Sequence, residues 1–179
     1  MAAKVEKTKK GSIARDGVEV EAERARRYEA HLSVILINVD GLGLVNEKIG
    51  RKSGDALLAE IAGIVRANIR KIDVFGRWDA EDFVILTVDR NSFGSIALAE
   101  KLRRAIADQS FELEGKPVRM TVSIGVARGS PGDEHEIDSL IASARSAVVR
   151  AKSAGRNRVE YSDGGSAAIA IPDSVDPSE

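Results

Sequence analysis

Residues 32–39 (LSVILINV) restrict the possible folds more than any other part of the chain. The segment is almost continuously apolar and rich in β-branched residues, which is typical of a strand covered on both faces. Such a strand cannot lie in a sheet that leaves one of its faces to water. We therefore expect residues 32–39 to be the central strand of a sheet with helices on both sides.

The rest of the chain alternates between helical and extended patterns. In residues 55–69 the apolar side chains recur at helical spacing and form one core-facing stripe. The predicted helices are residues 18–30, 55–69, 95–108 and 137–153. The predicted strands, besides the central one, are residues 72–75, 83–88, 119–127 and 158–161, with a small hairpin within 111–118. A glycine-rich stretch after residue 39 is expected to break the regular structure. The pattern predicts an α/β sandwich on one mixed or antiparallel sheet.

Composition narrows the range of functions. The chain has 179 residues, which fits one domain, and a net charge of −1, which disfavours general nucleic-acid binding. It has no cysteine and two histidines, so any metal would need oxygen ligands. The longest apolar run is too short to cross a bilayer, and the default location is the cytoplasm. We expect a basic tail at 1–16, one domain at 17–161 with residues 18–30 as a linker helix, and an acidic tail at 162–179.

Four short blocks occur in a fixed order along the chain. Residues 38–55 fit the pattern D-[IVL]-D-x-F-K-x-[IVL]-N-D-x-x-G-H-x-x-G-D in register, and residues 70–83 fit R-x-x-D-x-x-x-R-[YF]-G-G-[DE]-E-F. Residues 123–127 read S-I-G-V-A, and residues 151–159 read A-K-S-A-G-R-N-R-V. The ordered set resembles the GGDEF family, the diguanylate cyclases that condense two GTP into cyclic di-GMP. The resemblance implies a nucleotidyl-cyclase-like fold, with a mostly antiparallel sheet between helices. The family's opening L-T-G-L-x-N-R block is not recognisable near residues 11–16.

The resemblance breaks down at the positions that the family uses for catalysis. Phosphodiester synthesis requires Mg²⁺ held by converging carboxylates, and the first family acid is Asn38 here, while the second is Glu81. Asp79 and Ala80 replace the glycine pair, and Asp82 takes the fourth letter of the signature. The family's phosphate-side lysine is also replaced, by glycine at position 43. We predict that the catalytic site is degenerate and needs no cofactor, with Asp40 and Glu81 as weak metal candidates.

Other family positions are kept. By resemblance, Asn46 and Asp55 would contact a guanine edge, while Lys152 and Arg156 would contact phosphate. Each has a structural alternative, since Asp55 can cap a helix N-terminus and the two cations suit a helix C-terminus. We interpret the four as a vestigial GTP site that binds weakly.

Arg70 and Asp73 form the R-x-x-D motif that lies five residues before the signature. In the family this is the inhibitory site, where cyclic di-GMP binds as an intercalated dimer, and Lys101 matches a further basic contact. A guanidinium can bond to guanine O6 and N7, and a carboxylate can accept from N1 and N2. The structural alternative is that Arg70 caps the preceding helix and Asp73 forms a local ion pair.

These residues favour a catalytically inactive GGDEF-like domain that is a cyclic di-GMP receptor or regulatory signalling module. Expected partners are cyclic di-GMP, an adjoining signalling domain or protein partner, and a second copy of the chain joined through the ligand. One alternative is an active cyclase in which Asp40 binds the metal in place of Asn38. Of the three interpretations, this is the one that requires Mg²⁺. The other is a nucleotide-independent docking domain.

Overall fold

The computed structural model describes Arg27 and residues 31–89, 93–129 and 137–163. The elements in chain order are β1 (His31–Val39), α1 (Leu42–Lys48), α2 (Arg51–Asn68), β2 (Val74–Arg77), β3 (Asp82–Asp89), α3 (Gly94–Asp108), β4 (Ser110–Leu113), β5 (Lys116–Arg119), β6 (Val122–Gly129), α4 (Ile137–Ser153) and β7 (Val159–Asp163). The predicted tail at 1–16 and most of the acidic tail lie outside the described residues. Of the predicted helix at 18–30, only Arg27 is described, and it is helical and exposed.

One five-stranded sheet in the order β2-β3-β1-β6-β7 organises the described part of the chain. β1 pairs antiparallel with β3 on one side and with β6 on the other, whereas β7 pairs parallel with β6. Strands β4 and β5 form a separate hairpin. The predicted central strand and the mostly antiparallel sheet are therefore confirmed.

The two faces of β1 pack against different helices, as its continuous apolar sequence requires. Ile35, Ile37 and Val39 face a core built from α1, α2, α3 and β4. Val34 and Leu36 face α4. Fully burying one such aliphatic side chain contributes about 1.5–3 kcal/mol, so this strand fixes the order of the three layers.

The segment between β1 and α2 differs from the sequence prediction. The glycine-rich stretch contains α1, and α2 begins at Arg51 rather than at residue 55. Gly41 and Gly50 precede the two helices with φ of 75° and 105°, a region that side chains rarely adopt. These glycines let the chain change direction between elements. They mark where the helices begin and do not break them.

β6 and α4 approach each other most closely at Gly125. A Cβ built at Gly125 would lie 2.0 Å from the carbonyl oxygen of Ala144 and 2.7 Å from the amide nitrogen of Val148. The glycine of the S-I-G-V-A block therefore allows strand and helix backbones to touch.

The remaining boundaries shift by a few residues. β6 runs from Val122 to Gly129, and Arg119, the predicted first residue of this strand, is instead the last residue of β5. β7 continues to Asp163, two residues beyond the predicted end of the domain. No helix in the described ranges is long and apolar enough to cross a membrane.

Candidate functional site

Asn38 lies at the end of β1, where the register places it between Asp82 of β3 and Ser123 of β6. Asn38 and Asp82 are both buried. The Asn38 amide donates from Nδ2 to Asp82 Oδ1 over 2.7 Å. The Asn38 Oδ1 atom is shielded from solvent and accepts no hydrogen bond within the described residues. Asn38 is thus a hydrogen-bond donor to the neighbouring carboxylate.

The other carboxylate oxygen of Asp82 faces a cation. Arg145 Nη2 of α4 lies 3.7 Å from Asp82 Oδ2, with the two side chains 46% and 10% exposed. Asp82 is therefore flanked by an amide on one side and a guanidinium on the other. A buried carboxylate is stable only when it is paired and hydrogen-bonded, and this arrangement supplies both.

Asp40 follows β1 directly and is also buried. Its Oδ1 accepts from the hydroxyl of Ser123 at 2.7 Å, and its Oδ2 accepts from Thr121 Oγ1 at 2.8 Å. The backbone N–H of Asn157 donates to the same Oδ2 at 3.2 Å. Asp40 therefore ties the end of β1 to the start of β6 and to the α4–β7 turn. These three donors oppose the alternative in which Asp40 becomes a metal ligand. We refer to Asn38, Asp40, Asp82 and Arg145 as the strand-end cluster.

Glu81 is half-buried and lies at the same end of the sheet. Its backbone carbonyl accepts from the N–H of Val39 at 3.4 Å. Its Oε1 lies on the side of α1, 3.8 Å from where a Cβ at Gly43 would stand. No lysine extends from that position of α1 to add positive charge.

Mg²⁺ prefers several oxygen ligands with negative charge. Within the described residues, no group of three or more His, Cys, Asp or Glu side chains could hold a metal ion. Asn38 is neutral and its carbonyl oxygen is closed to solvent, while the carboxylate of Asp40 already accepts from three donors. Glu81 is left as a single charged donor. The residues present do not fit a divalent cation.

The β2–β3 hairpin tip is closed by its own side chains. Asp79 Oδ1 accepts from the N–H of Ala80 at 2.7 Å. Arg77 donates from Nε to the Asp79 carbonyl at 3.2 Å and from Nη2 to the Ala80 carbonyl at 2.5 Å. Neither Asp79 nor Ala80 has a positive φ. The Ala80 N–H, which a glycine pair would expose to phosphate, is bonded internally.

Asn46 and Asp55 come together on α1 and α2. Asn46 Oδ1 sits against Gly54, where an added Cβ would lie only 1.9 Å away, so the glycine makes room for the amide. Asp55 lies inside α2 and its side chain is 69% exposed, with Arg77 Nη1 at 3.7 Å from Oδ1. The N-cap interpretation of Asp55 is wrong because the residue before α2 is Gly50.

Lys152 and Arg156 flank the C-terminus of α4, which ends in a Schellman motif. The N–H of Arg156 donates to the Ala151 carbonyl at 2.9 Å, and the N–H of Gly155 donates to the Lys152 carbonyl at 3.4 Å. Arg156 itself has a φ of 63°. The A-K-x-x-G-R-N-R block is thus a helix stop, and Asn157 joins it to Asp40. The turn brings both cations to the same end of the sheet as Asn46.

Arg70 and Asp73 lie near the opposite end of the sheet, between α2 and β2. The N–H of Arg70 donates to Asp73 Oδ2 at 2.9 Å, and the N–H of Asp73 donates to the Arg70 carbonyl at 3.1 Å. Arg70 is exposed and Asp73 is half-buried. Lys101 is exposed on α3, which packs beside α2. We refer to residues 70–73 as the 70–73 turn.

A charged network on α3 was not predicted from the sequence. Glu100 accepts from Arg103 at 2.6 Å and from Arg104 at 3.2 Å, and Arg103 also donates to Asn157 Oδ1 at 2.9 Å. The hydrogen bond from Arg103, together with its charge, lowers the pKa of Glu100 against the opposing effect of burial. The same hydrogen bond raises the pKa of Arg103. The network connects α3 to the turn that holds Asp40.

The residues that sequence reasoning missed are Arg145, Arg77, Asn157 and Arg103. Arg145 contacts Asp82, and Arg77 contacts Asp55. Asn157 and Arg103 hold the turn beside Asp40. Each of these contacts joins two different elements. A single sequence carries no periodic or spacing signal for such a contact.

Comparisons with known proteins agree with this fold. A sequence profile of the family described as "Diguanylate cyclase, GGDEF domain" matches residues 12–158. Diguanylate cyclase DgcM of Escherichia coli K12 is 39% identical over 127 residues, which cover 71% of this chain and 30% of that protein. The chain spans about a third or less of the length of curated relatives such as this one.

Two solved structures share the fold. The active GGEEF domain of a diguanylate cyclase from Vibrio cholerae has a TM-score of 0.73 at 28% identity, covering 83% of this chain and 93% of that one. The GGDEF domain of DgcB from Caulobacter crescentus, in complex with c-di-GMP, has a TM-score of 0.78 at 17% identity, covering 90% and 98%. With a profile match over most of its length, this chain belongs to the GGDEF family.

Proposed function

We propose that this chain is a GGDEF domain that does not synthesise cyclic di-GMP but binds it at the 70–73 turn, as a regulatory module. The observation that carries the loss of synthesis is the buried hydrogen bond from Asn38 to Asp82, completed by Arg145. The carboxylate of Asp82 therefore already has an amide donor and a guanidinium of the protein as partners.

The neighbouring residues support the same conclusion. Synthesis joins a 3′-hydroxyl to an α-phosphate, and the metal ions normally neutralise the phosphate charge and lower the pKa of the hydroxyl. Of the family's two metal positions, Asn38 is neutral and Glu81 is charged, and the exposed Asp79 adds negative charge at the hairpin tip. With the residue at position 43 a glycine, α1 supplies no compensating cation there. We therefore propose that no cofactor is required.

GTP binding is proposed to be weak and independent of metal. Asn46 is seated against Gly54 and Asp55 is exposed, so a guanine edge has two polar groups to meet. Lys152 and Arg156 would have to balance the triphosphate from the surface, where charges are screened by salt.

The 70–73 turn supports the receptor role. Two internal hydrogen bonds hold Arg70 and Asp73 close together without burying them. The pair then presents a planar cation and an acceptor, which match the O6/N7 and N1/N2 edges of guanine. Lys101 is proposed as an additional phosphate contact. A rigid, exposed turn lowers the entropy that binding has to offset.

The binding partners follow from the same proposal. Cyclic di-GMP is the ligand, in the micromolar range that the resemblance implies, and a ligand dimer could join two copies of the chain. Since the chain spans about a third or less of several relatives, we propose that an adjoining signalling domain or a protein partner responds to the bound state.

Calorimetric titration with cyclic di-GMP tests the receptor role. Arg70→Ala should weaken binding by about 10- to 100-fold, since one guanine contact is worth about 1–3 kcal/mol. Asp73→Asn should also weaken it, while Arg51→Ala at the exposed start of α2 removes the same charge as a control. Both turn variants should keep the wild-type melting temperature within a few degrees. No heat with the wild-type protein would contradict the receptor role and favour the docking-domain alternative.

An activity assay tests the loss of synthesis separately. Incubation with GTP and Mg²⁺ or Mn²⁺ should give no cyclic di-GMP above a protein-free blank, and Glu81→Ala should change nothing. Steady product formation that disappears in Glu81→Ala would establish the active-cyclase alternative.

A further inference from the structure

Arg66 lies in the last turn of α2 and is exposed, yet its guanidinium has a fixed neighbour. The Cζ atom of Arg66 is 5.0 Å from the centroid of the Phe75 ring. Phe75 in turn packs against Phe83, with ring centroids 5.6 Å apart and planes inclined by 31°. Because Phe83 belongs to the buried core, the ring under Arg66 is held in place.

The chain reversal after α2 explains this contact. α2 ends at Asn68, and the two hydrogen bonds of the 70–73 turn then send the chain back as β2. Phe75, two residues after Asp73, therefore returns beneath the helix turn that carries Arg66. Arg66 lies two residues before the last residue of α2, and Arg70 lies two residues after it. Arg66, Arg70 and Asp73 consequently occupy one corner of the molecule.

A planar guanidinium that lies over an aromatic ring has a second face. Arg66 is exposed, so its guanidinium is reachable from solvent. A planar cation can stack on a nucleobase, whereas a lysine ammonium offers no such plane. In the proposed site, the 70–73 turn contacts the edges of a guanine. The flat face of the base has no partner from this turn.

Building on the proposed cyclic di-GMP site, we infer that Arg66 is a base-stacking residue of that site. The base lies over the guanidinium, which Phe75 supports from beneath, while Arg70 and Asp73 contact the base edges. Stacking does not depend on which purine is present, so Arg66 contributes affinity and Asp73 contributes the choice of guanine.

Titration of four proteins with cyclic di-GMP tests this role. The wild type is compared with Arg66→Ala, Arg66→Lys and the control Arg51→Ala, which removes one exposed charge at the other end of α2. Arg66→Ala is expected to weaken binding by about 3- to 30-fold, and the control should stay within about twofold of the wild type. Arg66→Lys keeps the charge but not the plane, so it should be nearly as weak as Arg66→Ala. A structural role alone would lower the melting temperature without changing affinity.

The outcomes separate this inference from the proposed function. If the wild type binds and Arg66→Lys binds equally well, charge alone matters and the stacking role is wrong. Unchanged affinity in Arg66→Ala would also overturn it while leaving the receptor role intact. If the wild type shows no binding near a millimolar ligand concentration, the receptor role fails, and the inference fails with it.

Discussion

The strand-end cluster and the 70–73 turn hold similar residue types in opposite environments. Both combine a carboxylate with an arginine, and the strand register places them toward opposite ends of the sheet. In the cluster, Asp82 is buried between Asn38 and Arg145, so its charge is satisfied by the protein. In the turn, Arg70 is exposed, and its N–H donates to the half-buried Asp73. The difference teaches that burial makes the carboxylate of the cluster part of the protein's own hydrogen-bond network, whereas the arginine of the turn keeps contact with solvent.

The strongest test of this contrast is Asp40→Asn. The change removes the charge that receives hydrogen bonds from Thr121, Ser123 and the Asn157 N–H. We expect the free energy of unfolding to fall by about 2–3 kcal/mol, since hydrogen bonds to a buried charge are stronger than neutral ones. Urea unfolding measures the loss. The matched control, Asp55→Asn, alters an exposed carboxylate and should stay within about 0.5 kcal/mol of the wild type. Equal losses of stability in Asp40→Asn and Asp55→Asn would contradict the contrast between buried and exposed carboxylates.

Asn38→Asp is the next test, because it places a second carboxylate beside Asp82. Repulsion would raise the pKa of the pair above that of the unfolded chain. A raised pKa in an acid stabilises the fold at low pH, and this stability is lost as pH rises through the folded value. The variant should therefore be less stable than the wild type by about 1–2 kcal/mol at pH 8, with the gap closing toward pH 4.5.

Thermal melts at both pH values, with and without MgCl₂, complete the test of Asn38→Asp. Added Mg²⁺ should raise the melting temperature of the variant and leave the wild type unchanged. A wild-type protein that is itself stabilised by Mg²⁺ would show that the strand-end cluster still takes an ion.

The smallest expected effect is at Glu100, which is neither buried nor fully exposed. Its pKa is lowered by the hydrogen bond from Arg103, so its contribution is present above the unfolded pKa and is lost as pH falls through the folded value. After solvent screening, Glu100→Gln should cost about 0.5–1 kcal/mol at pH 7 and less at pH 3. Urea unfolding at the two pH values, repeated at high salt, measures the difference. A pH-independent loss would contradict the ion-pair explanation.

Those parts of the fold that depend on local pattern could be predicted. β1 was predictable because burial on both faces demands an unbroken apolar run, and α4 was found at its observed bounds. α1 was not predicted, because glycine in a sequence is usually taken as a helix breaker. In the structure, Gly41 supplies the positive φ before the helix.

The candidate site was predictable only as a set of positions. The sequence indicated which family residues are replaced, but it did not indicate which residues the replacements contact. Asn38 and Asp82 are 44 residues apart, and Asp40 and the N–H of Asn157 are 117 apart. Contacts at such separations depend on how the layers pack, which no local rule encodes. The cyclic di-GMP site stays a prediction, and its chemistry rests on Arg70 and Asp73.

Gly125 is remote from the β2–β3 hairpin, yet it influences the electrostatics at the start of β3. Because the β6 backbone touches the Ala144 carbonyl there, the absence of a side chain sets the depth at which α4 rests on the sheet. The next residue along α4 is Arg145, whose reach to Asp82 depends on that depth. A methyl group at position 125 would act as a spacer, lifting the helix and drawing the guanidinium away. The charge balance at the end of β1 is thus tuned from the middle of a neighbouring strand.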